Sequence, residues 1–414
     1  MDNTFVMGAV NVFTTETEGE IAFEGKAKGE ISVSDKIEVT NLGSDNLETT
    51  TATVTQIGFR SGDSIQTVQS AKDRNMIVYV TLENPVSVRT GVVLCTPGTD
   101  PEEKHAAYVN VLGNVFVAAR DLNLEDKEFE RFSVTDCVEL YNCFVKFHAR
   151  RQEKDKQKEE NVAKLEKLAF ILGRKLFSCE SLYAVYSTRT ADTFMFSKLF
   201  RQGRGFSSTL PNVMVVTPNY VDRVKAEFKE DAYEFVKING KNLFNFFGGC
   251  FYVNGASGVL VNCTSVRVPA EMVVKKPEET DDEANVANPD LVRWVLLMGQ
   301  TEESVNSVAT TSYVIYKEEM ERELLKAKFL LPTKPGKDGY QVGIMKKEAQ
   351  RDAVAFFTDW GKLRVAYDGT WGAILKTVDE MYEEYNILVN PLKTSAKVLL
   401  FTQEDIERIK KKVQ

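Results

Sequence analysis

Ile31-Ser32-Val33-Ser34-Asp35-Lys36-Ile37-Glu38-Val39, followed by Thr51-Ala52-Thr53-Val54-Thr55, decides how the first quarter of this chain folds. Apolar and polar residues alternate with period two, β-branched side chains dominate, and turn-forming residues mark the breaks. Similar short alternating segments recur from Phe5 to Leu94. Repeated short strands predict a barrel or a sandwich, and a closed barrel is the expectation because it leaves no strand edge exposed.

Beyond this region the character changes. Pro101-Glu102-Glu103 opens a helix with an acidic first turn, and Cys137 to Phe147 continues with helical apolar spacing. The charge-alternating run from Arg150 to Glu160 carries no apolar anchor and reads as a solvated helix or hinge. Val162, Leu165, Leu168, Leu172 and Leu176 then recur at spacings of three and four, on one face of an amphipathic helix. Strand-like runs follow at Leu182–Tyr186, Val213–Val216 and Gly258–Val261, with helix candidates at Tyr220–Phe228 and Leu243–Phe247. Lys275 to Asn285 is acidic and lacks large apolar residues, as a linker would. Asn288-Pro289-Asp290 caps and starts a further helix, and Tyr313, Tyr316, Met320, Leu324 and Ala327 share one face of the next.

Two stretches repeat an order of features: amphipathic helix, short strand, aromatic strand ending in a hydroxyl residue, helix, and an apolar strand ending in Asn. The first is Val162–Leu176, Leu182–Tyr186, Phe194-Met195-Phe196-Ser197 and Val259-Leu260-Val261-Asn262. The second is Tyr313–Ala327, Phe329-Leu330-Leu331, Ala355-Phe356-Phe357-Thr358 and Ile387-Leu388-Val389-Asn390. From Phe196 to Asn262 is 66 positions and from Phe357 to Asn390 is 33, so this pairing places a long insertion in the first copy.

At 414 residues the chain exceeds what one core serves. The formal net charge of −8, with 13 acidic against 7 basic side chains in residues 1–98, disfavours RNA as a general partner. Six scattered cysteines without a CxxC motif read as reduced thiols. Met1-Asp2-Asn3-Thr4 has no basic head with an apolar run, and no stretch approaches membrane-spanning length; a cytoplasmic protein that does not engage membranes is the expectation.

The N-terminal segment resembles the second domain of elongation factor Tu and related translational GTPases. The resemblance lies in Phe5 to Thr14, Gly19 to Val39 and the closing Arg89-Thr90-Gly91-Val92-Val93-Leu94. It implies a β-barrel over 1–98 with Gly25 and Gly29 at tight turns. Ser34 replaces the family's glycine before the aspartate, and Ala71 to Asn75 lacks the glycines of the equivalent turn. No GxxxxGK[ST] phosphate loop occurs, so GTP hydrolysis is not expected. The remainder resembles proteins of the SseB type, named for enhanced serine sensitivity. Phe356-Phe357-Thr358-Asp359 and Leu388-Val389-Asn390-Pro391 match that family's aromatic strand and its later strand. The fold expected is therefore multi-domain, β plus α/β: an elongation-factor-like barrel (1–98), a helical connector (99–155), an SseB-like α/β domain (156–274), an acidic linker (275–287) and a second such domain (288–414).

No catalytic constellation assembles in this reading. His105 and His148 are the only histidines; Cys143 and His148, five apart on one helix, diverge, and the thiols lack zinc-ligand spacing. Phe247-Gly248-Gly249-Cys250 and the residues to Gly258 read as turns. Arg201, Arg204 and Phe206, in the loop Phe200-Arg201-Gln202-Gly203-Arg204-Gly205-Phe206, combine guanidinium with aromatic rings and are the candidate partner-binding residues. The expectation is a non-catalytic protein-binding or adaptor protein with no cofactor and no metal. A ribosome- or RNA-associated factor and an enzyme with a pocket unseen in sequence are the alternatives.

Overall fold

A computed structural model describes residues 4–413 apart from 63, 150–154, 204, 229–230, 278–285, 302–306, 337–338, 346–350 and 393–398. The chain divides into two compact units: residues up to Cys179 with Thr217–Asp222 and Thr264–Val266, and Glu180–Val216, Arg223–Cys263 and the residues from Arg267 on.

Unit 1 begins with nine strands: β1 (Val6–Thr14), β2 (Glu20–Lys28), β3 (Glu30–Ser32), β4 (Lys36–Asn41), β5 (Glu48–Ser61), β6 (Ser64–Val68), β7 (Ser70–Lys72), β8 (Asn75–Leu82) and β9 (Val93–Cys95). Six of them close a barrel in the order β4-β9-β1-β2-β8-β5 and back to β4, every pair antiparallel. Alternation puts Met7, Phe23, Ile37, Val54, Val78 and Leu94 inside, each at most 2% exposed. Gly29 takes the tight turn after β2 at φ +81°. Gly25 does not sit in a turn: it lies within β2, where a Cβ would stand 2.2 Å from the Gly8 carbonyl oxygen.

Four helices follow in the same unit: α1 (Pro101–Leu112), α2 (Asp126–Arg131), α3 (Val134–His148) and α4 (Asp155–Ser178). Asp100 caps α1 by accepting the Glu102 N–H at 2.7 Å, and Pro101 occupies the first turn. α1 lies on β1 so closely that a Cβ at Gly8 would meet Val111 Cγ2 at 2.5 Å. In α4 Leu168, Leu172 and Leu176 are buried as their spacing predicts, whereas Val162 is 53% exposed. The residues 99–155 read as a connector thus belong, with α4, to the unit of the barrel.

Unit 2 holds two sheets of one design. The first module comprises β10 (Ser181–Ser187), β11 (Asp192–Thr193), β12 (Met195–Phe196), β13 (Leu199–Gln202), β14 (Gly205–Ser208), β15 (Asn212–Val216), α5 (Val221–Lys225), β16 (Tyr233–Asn239), α6 (Leu243–Gly248), β17 (Gly258–Val261), β18 (Arg267–Pro269) and α7 (Ala270–Val273). After α8 (Pro289–Gln300) and α9 (Ser307–Leu324), the second comprises β19 (Phe329–Gly336), β20 (Gly339–Val342), β21 (Ile344–Met345), β22 (Ala353–Phe356), α10 (Trp360–Ala366), β23 (Gly372–Lys376), β24 (Asn386–Val389), β25 (Leu399–Phe401) and α11 (Gln403–Val413).

The first sheet runs β16-β10-β15-β17-β18, with β15 and β17 its parallel pair. The second runs β23-β19-β22-β24-β25, β19 meeting β22 through the Leu330–Phe357 bridge and β22 lying parallel to β24. Registers coincide: Val215 faces Val261 in one, and Phe356 faces Val389 in the other. The correspondence differs from the one read along the chain. Ala355-Phe356-Phe357-Thr358 matches Met214-Val215-Val216-Thr217, not Phe194-Met195-Phe196-Ser197, because the strand parallel to the Asn-ending strand is β15. The spacing Val216–Asn262 is 46 positions against 33 for Phe357–Asn390, so the insertion shrinks to 13.

The glycine-bearing run read as turns is helical instead. α6 continues into a π-helical segment over Gly249–Val253, and the chain leaves it at Gly255, φ +79°. Phe247 and Phe251, both buried, stack at 5.7 Å and hold this helical path. The Asn288 side chain, expected to cap α8, instead donates to the carbonyls of Lys328 at 2.8 Å and Thr358 at 2.9 Å, tying α8 to the second module. Among the described residues no helix is long and apolar enough to cross a membrane.

Candidate functional site

Arg201 and Phe206 face each other across the hairpin β13–β14. Gly203 turns the hairpin at φ +59°, a conformation that costs glycine little; Arg204 lies outside the described residues. The base is pinned by hydroxyl groups: Ser197 donates to the Thr209 carbonyl at 2.6 Å, and Thr209 Oγ1 accepts the Lys198 N–H at 3.0 Å. Further out the apolar side chains have no core to enter. Phe206 is 59% and Phe200 44% exposed, and Arg201 is exposed beside them. Fifteen residues separate β12 from β15 and make room for the hairpin, against seven between β21 and β22. The hairpin is thus an elaboration of the first module, with a guanidinium and two rings turned outward.

Unit 1 contains a second concentration of polar chemistry, which sequence reasoning did not find. Asp136, fully buried, accepts from the two terminal guanidinium nitrogens of Arg89 at 2.5 and 2.9 Å, from the Tyr108 hydroxyl at 2.6 Å and from the Ser133 N–H at 2.9 Å. Burial, followed by the charge of Asp136, pushes the Tyr108 hydroxyl well above its ordinary pKa. Nearby His105 Nε2 stands 3.2 Å from Glu139 Oε1 and 2.7 Å from the Tyr220 hydroxyl, which itself donates to Glu139 at 2.8 Å. Burial raises the Glu139 carboxyl, but the hydrogen bond and charge of His105, with Tyr220, outweigh it and hold the group below its ordinary value. Asp45 accepts the Val134 and Thr135 N–H groups at the start of α3, yet burial dominates and its pKa is raised.

These groups have the composition of acid–base machinery, and their hydrogen bonds run within unit 1. Their partners are the barrel, α1, α3 and the Thr217–Asp222 segment, so the bonds join the parts of unit 1 to one another. Arg89 in the Arg89-Thr90-Gly91 motif was the available signal; its acceptor, 47 positions later, was not marked by any local pattern.

The remaining candidates, Cys143 and His148, have partners within unit 1. Cys143 donates to the Val109 carbonyl at 3.7 Å, while His148 contacts Asp121 at 2.9 Å and Asn161 at 3.0 Å. Burial pushes the thiols of Cys143 and Cys263 up to about 11 and that of Cys179 to about 12, away from nucleophilic use at neutral pH. Among the described residues no group of three or more His, Cys, Asp or Glu side chains could hold a metal ion. A groove of about 470 Å³ runs along the β1–β2 turn between Thr15, Gly19 and Pro85. Of its carboxylates Glu18, Glu20 and Glu83, Glu20 accepts from Thr55 and Glu83 pairs with Lys36.

No family model matches the chain, and no curated protein matches it. Among solved structures, the apo form of translation elongation factor SelB from Methanococcus maripaludis is similar at 17% identity and a TM-score of 0.20. The similarity covers 24% of this chain and 20% of the SelB chain, so the chain spans about a fifth of that protein's length.

Proposed function

We propose that this chain is a non-catalytic protein-binding or adaptor protein whose β13–β14 hairpin contacts a protein partner. The observation that carries the reading is the exposed Arg201–Phe206 cross-strand pair, joined by Phe200, on an element only the first module elaborates. Aromatic rings and arginine are enriched among the residues that dominate binding energy at protein interfaces. The titratable groups of unit 1 support the same reading, since their bonds go to structural partners. On this reading the modules of unit 2 are SseB-like, resting on Phe356-Phe357-Thr358-Asp359 and Leu388-Val389-Asn390-Pro391, and the barrel is a translation-factor-like docking module without a GTPase.

The test is affinity capture from native lysate with wild-type chain, Arg201→Glu and Phe206→Asp. Both side chains are exposed, so neither variant should disturb folding. A discrete protein retained by wild type and lost by both variants is the expected result. Identical captured sets would refute the hairpin's role.

A further inference from the structure

One edge of the first module's sheet is covered by a helix. Gln300, the last residue of α8, accepts the Met195 N–H at 3.0 Å and donates to the Thr193 carbonyl at 3.0 Å, so its amide completes the strand edge as a neighbouring strand would. The fit is close: Gly255 approaches α8 where a Cβ would lie 2.1 Å from the Pro289 carbonyl oxygen, and Gly299 packs at Thr190. Thr193 is 3% and Met195 2% exposed beneath this cover.

The second module has the same edge. The pair Tyr186–Thr193 corresponds to Thr333–Val342, and Met195–Val213 to Ile344–Val354. Between them Phe194 donates to the Val185 carbonyl at 2.8 Å, and Gly343 donates to the Pro332 carbonyl at 3.1 Å. Val342 and Ile344 therefore stand where Thr193 and Met195 stand. Yet Ile344 is 40% exposed and Val342 is half-buried, whereas Met345, 38% exposed, matches its own counterpart Phe196 at 42%, and Tyr340 aligns with the exposed Ala191. The surface that is 2% exposed at Met195 is open at its counterpart.

We propose that the β20–β21 edge docks an amphipathic helix of another protein, apolar along one face and ending in a glutamine. Its amide would bond the Val342 carbonyl and the Ile344 N–H while its apolar face covers Val342 and Ile344. The occupant is inferred from α8, seated on the equivalent residues of the first module. A second copy is not the occupant, because α8 is committed: Leu291, Val292 and Leu297 are at most 3% exposed in its present place.

The probe is a fluorescein-labelled synthetic peptide with the sequence of residues 288–301, titrated with the full chain and followed by anisotropy. Saturable binding, weakened at least tenfold by Ile344→Asp and by alanine in place of the peptide's glutamine, is expected. Val342→Asp, at the counterpart of the covered Thr193, is the second variant and should weaken binding severalfold. Absence of binding overturns the proposal. So does binding that Ile344→Asp leaves intact and Met195→Asp abolishes, since the peptide would then be replacing the chain's own α8. A concentration-dependent dimer that Ile344→Asp dissolves would also overturn it, in favour of self-association.

Discussion

Asn262 and Asn390 both turn their backbones into the left-handed region, at φ 54° and 46°, and each donates its N–H across a parallel strand pair, to Val215 at 2.9 Å and Phe356 at 2.8 Å. In the second module the side chain adds a clasp: Asn390 Oδ1 accepts the Thr358 N–H, and Nδ2 donates to Thr358 Oγ1, both at 3.0 Å. Asparagine tolerates this backbone better than other residues with a Cβ, because its short polar side chain can bond locally. Asn390→Ala loses the clasp and forces alanine into the left-handed region, so it should destabilise unit 2 by about 2–3 kcal/mol. Asn390→Gly loses only the clasp and should cost about half as much. Trp294, Trp360 and Trp371 are the only tryptophans and all lie in unit 2, so the urea midpoint by tryptophan fluorescence reads the effect.

Arg89→Ala removes the bidentate partner of a carboxylate with no access to water. Stranding one member of a buried pair costs about 3–5 kcal/mol, and the lower end applies here because Arg89 is 26% exposed and Tyr108 and Ser133 still serve Asp136. The loss should appear by circular dichroism as earlier melting, while the tryptophan midpoint of unit 2 stays in place. Arg89→Lys keeps the charge without the planar fork and should fall between.

Two carboxylates in unit 1 predict opposite pH slopes. Glu139 has a lowered folded pKa, so its contribution is complete above the ordinary value of 4.5 and is lost as pH falls through the lowered one. Asp45 has a raised folded pKa, so its contribution is complete below the ordinary value of 3.8 and is lost as pH rises through the raised one. Glu139→Gln should therefore be less stable than wild type at neutral pH, with the deficit shrinking in acid. Asp45→Asn should gain on wild type as pH rises from about 4 to 7. Thermal melts against wild type check both signs, from about pH 4 to 7 for Asp45→Asn and from neutral to well below the ordinary carboxyl value for Glu139→Gln.

Ser34 lies in the turn between β3 and β4, and its φ is +77°. Holding a Cβ in that region costs about 1–2 kcal/mol, partly offset by the extra unfolded-state freedom of glycine. Ser34→Gly should stabilise the barrel by about 0.5–1 kcal/mol, read as a higher melting temperature by circular dichroism.

The amino-acid order by itself determined what repeats over a few residues. Period-two alternation marked the barrel strands, spacings of three and four marked Leu168, Leu172 and Leu176 as the buried face of α4, and Asn262 and Asn390 were placed at strand ends. Such signals are local, because a strand or helix repeats its geometry within one turn or one pleat. Tertiary structure alone decided the rest. It set β9 between β1 and β4, brought Asp136 to Arg89, bent Gly249–Val253 into a helix, and matched Met214–Thr217 with Ala355–Thr358. Which distant surfaces bury each other depends on the apolar area and polar partners available across the whole unit, and no window of neighbouring residues contains that information.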